Sequence, residues 1–153
     1  MSEIREIVME GDPLLRQQSQ EVRRFGSALH RLLDDMKATM YHANGCGLAA
    51  PQVGVSKRLI VVDDFDELGF MELVNPVIVQ AEGRNEAVEH CLSVADRGGL
   101  VIRAEKIRAT YQNRDGEARE LSAEGQMARI LQHEIDHLDG KLFVDVMVEE
   151  VPD

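Results

Sequence analysis

His133 and His137 lie four residues apart, with Glu134 between them, in the segment Gln132-His133-Glu134-Ile135-Asp136-His137. On a helix, residues at this spacing share one face a turn apart. Both rings can then reach a single metal ion, while Glu134 stands beside them as a proton carrier. Such a centre would carry out metal-assisted hydrolysis, the alternative being a His-rich turn on a solvated helix face. Two imidazoles leave a catalytic zinc-type site one protein ligand short. The candidates for the third ligand are Cys46, Cys91, the histidines at 30, 42 and 90, and the carboxylates.

The elements that must carry these groups follow from periodicity. Leu29, Leu32, Leu33, Met36 and Met40 recur at helical spacing from Ser27 and stop at Asn44-Gly45, which predicts an amphipathic helix with its methionines as core filler. Strands are expected over residues 59–62, 70–74 (ended by Asn75-Pro76), 77–79 as its continuation or a partner, and 87–94. Residues 106–112 and 117–121, joined through Asn113-Arg114-Asp115-Gly116, form the strongest hairpin signal. A second helix is expected with Ser122 as N-cap, Glu124 in its first turn and Gly140 just past its end. Its apolar side, Met127, Ile130, Leu131 and Leu138, buries the helix and with it the His133/His137 face. A buried His pair with a Glu needs partners, which a metal supplies more economically than the alternative, a hydrogen-bonded structural cluster.

The chain has 153 residues, 44% of them apolar, the size and content of a single domain over 1–153. Its formal charge of −11, from 28 acidic against 17 basic residues, comes without any basic stripe and excludes direct nucleic-acid binding. No apolar run is long enough to span a membrane and no secretory leader pattern is present. Cys46 and Cys91 are expected as free thiols in the cytoplasm.

Cys91 sits in a strand context, Glu89-His90-Cys91-Leu92-Ser93, where a thiol can be held rigidly. A lone Cys is more often a small buried hydrophobe, so the ligand reading rests on its combination with the other segments. A thiolate and two imidazoles leave one position open for water, whose pKa the ion lowers, and Glu134 can take the proton. The Gln52 amide and a backbone N–H near Leu92 are candidate donors to the developing oxyanion. The loop Gly45-Cys46-Gly47-Leu48-Ala49-Ala50-Pro51-Gln52 is built of small residues that let another backbone come close. Glu89 and Arg103 are expected to pair beside Cys91, and Asp136 to orient a ligand imidazole.

Together, the glycine loop, the Cys91 segment and the His133–His137 segment resemble the three signature motifs of peptide deformylases, in the family's order and at similar separations. The resemblance runs from about Ile7 to about Asp145. It implies an α+β fold in which antiparallel strands surround a central metal-binding helix. It also implies removal of the formyl group from the N-terminal formyl-methionine of peptides, with release of formate. By motif match, Cys91, His133 and His137 hold the metal and Glu134 is the general acid/base. Gln52 and the Leu92 amide bind the oxyanion, and Gly45 and Gly47 offer backbone hydrogen bonds to a substrate lying as an added strand. Ferrous iron is the metal implied, with zinc, nickel or cobalt able to replace it.

The chain departs from the family pattern at His90, normally Gly, and at Ala95, normally Pro. The His90 imidazole is expected to fill part of the substrate pocket, to swing out to solvent, or to act as an extra polar group near the metal. Gln126 stands where an apolar pocket residue is commoner, which makes that pocket more polar. The chain also lacks the basic C-terminal helix associated with ribosome docking, which argues against ribosome association. Two further readings differ in class: a deformylase-like metalloamidase with another formyl or acyl substrate, and an inactive relative that keeps the fold as a binding module.

Overall fold

A computed structural model describes residues 2–152. Eight strands and three helices follow a 3-10 turn at Pro13–Arg16: α1 (Ser27–His42), β1 (Gly47–Ala49), β2 (Leu59–Asp63), β3 (Phe70–Glu82), β4 (Asn85–Cys91), β5 (Val94–Arg103), β6 (Lys106–Gln112), β7 (Ala118–Glu124), α2 (Gly125–Leu138), the short α3 (Phe143–Val146) and β8 (Glu149–Pro152). All named strand pairs are antiparallel. They form a five-stranded sheet, β1-β2-β3-β6-β7, and a three-stranded sheet, β4-β5-β8. The α+β architecture expected from the motifs is the one observed.

β2 shows why the larger sheet is buried on both faces. Alternate residues point to opposite sides of a strand. Leu59 and Val61 face Leu32, Leu33, Met36 and Met40 of α1, whereas Ile60 and Val62 face Met127, Leu131 and Ile135 of α2. α2 is therefore the central helix, laid on the inner face of the five-stranded sheet. Leu131 is fully buried there. Leu131→Ala should lower stability by about 2–5 kcal/mol, the usual cost of a Leu-to-Ala cavity, measurable by urea unfolding.

Four expectations about elements need correction. The strand expected to end at Asn75-Pro76 runs on to Glu82, so 77–79 is its continuation and not a partner, because a register shift between Val74 and Val77 absorbs the proline. Asn75, at φ 51°, bonds Val22 and Gln112 from that bulge. The segment 87–94 is not one strand: β4 ends at Cys91, the chain turns at Leu92-Ser93, and β5 returns antiparallel. β5 itself is unannounced in the sequence, since Asp96, Gly98 and Gly99 break its alternation. Ser122 does not cap α2 but lies in β7 opposite Arg108. The helix begins at Gly125, which turns the chain at φ 63°, with Glu124 in the N-cap position and making no side-chain cap.

Candidate metal centre

The donor groups arrive from three directions. α2 brings His133 and His137 on one buried face, one turn apart. β4 delivers Cys91 as its last residue, at a register slip between Glu89 and Cys91. β1, at the edge of the larger sheet, runs past on the other side. Cys91 Sγ and one ring nitrogen from each of His133 and His137 lie within 4.8 Å of one another, the only such cluster among the described residues. Cys91 Sγ stands 3.4 Å from His137 Nε2. Cys46 and Cys91 are both free, and Cys46 is outside the cluster.

The surroundings fit a cation. His133 Nδ1 donates to Glu89 Oε1 at 2.8 Å, which leaves Nε2 to face the cluster. Glu89 also accepts from Arg103 Nε and Nη2, both at 2.9 Å, and from Arg129 Nη1 at 2.6 Å. Burial pushes the Glu89 carboxyl up, but the bonds from Arg103 and His133 outweigh it and hold the group ionised, well below the usual range. Burial pulls His133 down, yet its bonds to Cys91 and Glu89 prevail and raise it to about 10. His137, buried and beside His133, is held well below its ordinary value. Burial raises Glu134 to about 7. Glu134 Oε1 and His137 Nδ1 are buried without a hydrogen-bond partner. A buried carboxylate oxygen left unbonded beside a thiol and two imidazoles is costly unless something binds there. That donor set suits a borderline-soft divalent cation.

Gln52 is fully buried in a 3-10 turn, Ala50–Val53. Its Oε1 accepts from Ala49 N at 2.9 Å, and its Nε2 donates to Ser93 Oγ at 3.0 Å and faces Cys91 Sγ at 3.5 Å. The N-terminal segment fastens this corner, with Val8 N donating to Gln52 O and Glu10 N to Ser93 O. Gln52 is thus beside the thiol, with its amide edge directed along the β4–β5 turn. Leu92 packs its side chain against Gly45, where an added Cβ would sit 2.7 Å from Leu92 Cδ1.

A cleft of ≈ 620 Å³ opens from the cluster. Cys91, His133 and Glu134 lie in its lining together with Gly45, Gly47, His90, Leu92 and Gln126, whereas Gln52, expected as an oxyanion donor, and the ligand candidate His137 are outside the lining. Ala87, Val88 and Ile130 give it apolar wall, and Gln126 is at an exposed rim. The free edges of β1 and β4 flank it. His90 occupies the register slip, exposed, with its Nε2 lying over Gly98 of β5 and outside the metal-ligating cluster.

The structure corrects the role expected of Asp136 and adds two groups, Arg129 and Phe65, that the sequence reading did not name. Asp136 bonds Arg103 Nη1 at 2.6 Å and neither ligand imidazole; the imidazole partner is Glu89, 44 residues upstream. The expected Glu89–Arg103 pair is present. Arg129 carried no expectation, although its place one turn before His133 on the same helix face was a usable signal. Phe65 also faces the cleft, exposed and at φ 55°, held by Asp63 Oδ1 accepting from its N–H at 2.7 Å and by an edge-to-face contact with Tyr41.

A thiol and two imidazoles from a His-Glu-x-x-His helix, with an unbonded carboxylate beside them at the end of a cleft, define a metal-dependent hydrolase. Comparison with known proteins then gives the family. The polypeptide deformylase family pattern matches residues 4–152. The chain is 50% identical to a peptide deformylase of Halothermothrix orenii over 90% of each chain, and 51% identical to that of Caldicellulosiruptor bescii over 97% of this chain and 88% of the other. Its fold superposes with a TM-score of 0.90 on a crystal structure of a peptide deformylase from Legionella pneumophila, at 46% identity, covering 94% of this chain and 86% of that one. A class I type b peptide deformylase from Acinetobacter baumannii with Met-Ala-Ser bound gives a TM-score of 0.92 at 37% identity, covering 96% of this chain and 100% of that one. The chain belongs to the peptide deformylase family and is an enzyme of that kind.

Proposed function

We propose that the protein hydrolyses the formamide bond of N-terminal formyl-methionyl peptides, releasing formate, with Cys91, His133 and His137 as metal ligands and Glu134 as the general acid/base. The observation that carries this reading is the orphaned Glu134 Oε1 beside the Cys91/His133/His137 cluster, at the inner end of a cleft flanked by two free strand edges. The Met-Ala-Ser peptide bound to the Acinetobacter relative is consistent with a chain presenting methionine at its N-terminus. The metal this reading takes is ferrous iron, as the family resemblance implies, with zinc, nickel or cobalt as substitutes. When bound, the ion supplies Lewis acidity toward the formyl oxygen and lowers the pKa of water.

The chain's own groups do the rest. Gly45 and Gly47, at the free edge of the larger sheet, offer backbone groups to an extended peptide. Ala87, Val88 and Ile130 receive the methionine side chain, and Gln126 and His90 make the mouth more polar. Glu134, held near neutrality by burial, takes the proton of water as its oxygen adds to the formyl carbon. The Gln52 amide and the Leu92 N–H serve as donors to the oxygen that gains charge. Glu134 then returns the proton to the leaving nitrogen as the C–N bond breaks, leaving formate and a free amine. The substrate fits the cytoplasm, where formylated chains are made. Among the described residues no helix is long and apolar enough to cross a membrane.

A different acyl substrate is not favoured, because the His90 ring lies over Gly98 rather than in the metal cluster. Formate release from formyl-Met-Ala and related dipeptides by anaerobically metal-loaded protein tests the proposal. The wild type should turn over, and His90→Gly should change kcat/KM by less than about threefold, under 1 kcal/mol of transition-state energy. No formate from any formyl-methionyl peptide, or turnover only after His90→Gly, would sink it.

A further inference from the structure

We propose that Arg129 is a positioning residue for this site: one arm of its guanidinium fixes Glu89 and through it His133, and the other ties down the cleft wall at Asn85. The proposal rests on the reading of Cys91, His133 and His137 as metal ligands.

The joint between α2 and the β4–β5 hairpin sets the distance from the thiol to the imidazoles, and it is polar. The apolar cluster that seats α2 is made with the five-stranded sheet, whereas the cluster under β4 and β5, built from Leu15, Val94, Val101, Leu142 and Phe143, contains no α2 residue. The helix meets the hairpin through hydrogen bonds, Arg103 to Asp136 and Arg129 and His133 to Glu89, while His133 stacks on Phe143 of α3. Non-directional apolar packing therefore does little to register Cys91 against His133 and His137. Directional bonds must do it.

Arg129 makes four of them from one side chain, which is 12% exposed. Nη1 donates to Glu89 Oε2 at 2.6 Å and to Val101 O at 3.0 Å; Nη2 donates to Asn85 O at 2.7 Å and to Asn85 Oδ1 at 3.0 Å. Asn85 begins β4 and lies in the cleft lining, and Val101 is on β5. A single planar fork thus spans both strands of the hairpin and the carboxylate that orients a ligand imidazole. Lysine, a point charge on a flexible stem, cannot reproduce that geometry.

The two arms make separable predictions. The protein is loaded with Co2+, and its thiolate charge-transfer band, the rate of Co2+ release to excess EDTA, and kcat and KM for formyl-Met-Ala are compared across variants. Arg129→Met keeps the stem and loses every N–H. It should release Co2+ about tenfold faster, the low end of the usual loss on removing an outer-shell partner, with an altered band and a raised KM. Arg129→Lys keeps a positive charge beside Glu89, so release should return to within about threefold of wild type while KM stays raised. Asn85→Ala should raise KM and leave Co2+ release unchanged. Release from Arg129→Met within twofold of wild type with an unaltered band overturns the proposal. So does an equal acceleration in all three variants that simply follows their melting temperatures. If Arg129→Met does not fold, Arg129→Lys decides: an unchanged KM overturns. A wild type that takes up no Co2+ overturns this proposal together with the metal assignment, whereas normal uptake with indifferent variants overturns this one alone.

Discussion

Glu134→Gln is expected to give a folded protein that keeps its metal and loses formate release by about 10²- to 10⁴-fold, the usual range for removing a general acid/base. The carboxylate is not a member of the donor cluster, so its loss should leave metal content untouched. Its Oε1 has no partner to abandon, and the amide is nearly isosteric. A drop in kcat with KM little changed, together with stoichiometric metal, is the expected signature. Activity within tenfold of wild type would remove Glu134 from its role. A second readout comes from the metal-free protein. Burial raises the Glu134 carboxyl from 4.5 to about 7 in the folded state. A raised carboxyl contributes stability that is fully present below its unfolded value and is lost as pH rises through the folded one. The contribution of Glu134 to the stability of the metal-free wild type should therefore be lost between about pH 4.5 and pH 7, by about 3 kcal/mol, so the wild type should decline relative to Glu134→Gln over that window, the opposing contribution of His137 being common to both. Glu89 acts in another window, since its lowered carboxyl stabilises above its unfolded value and that stability is lost only as pH falls below it. Urea unfolding of both proteins at a series of pH values would show the difference in slope.

How much of this could be read from the chain alone depended on whether the deciding interaction was local. His133, Glu134 and His137 were legible because a helical period fixes which face they share, and the apolar spacing of Met127, Leu131 and Leu138 showed that this face is buried. The hairpin of β6 and β7 was legible from Asn113-Arg114-Asp115-Gly116 for the same reason. Other features depend on partners far away in sequence. Gly98 and Gly99 look like breakers, and they are glycines because a Cβ would meet His90 at 2.7 Å and Met147 at 2.6 Å, facts that no local pattern carries. Asp136 adjoins His137 in sequence, but neighbours on a helix diverge by about 100°, and Arg103 claims Asp136 instead. Ser122 has the composition of an N-cap, yet the pairing of Lys106 with Glu124 extends β7 past it, and tertiary pairing outweighs a capping preference. The placing of Cys91 beside the imidazoles needed the β4–β5 reversal, which the sequence conceals.

Gly47→Ala should nearly abolish activity although the residue supplies no side chain to the chemistry. An added Cβ would lie 2.5 Å from Glu134 Oε2, 2.8 Å from its Cγ and 2.9 Å from its Cδ. Gly47 is not in a left-handed conformation, so the constraint is space and not backbone strain. One partner must move. β1 is held at Gly47, Leu48 and Ala49 by its register with Val62, Val61 and Ile60, and Leu48 is buried in the α1 core, which leaves the glutamate side chain to yield. A carboxylate displaced by about 1 Å from its working position costs on the order of 10²-fold in rate. The same methyl also intrudes on the strand edge offered to the peptide, so KM should rise as kcat falls. Because the clash involves a side-chain end, stability should drop by no more than about 1–3 kcal/mol, the usual cost of overpacking. Metal content should hold, since the atoms nearest the added Cβ all belong to Glu134 and none to a ligand. Measured kcat, KM, metal stoichiometry and urea midpoint separate these effects. Full activity in Gly47→Ala would mean that Glu134 works from a position other than the one packed against β1.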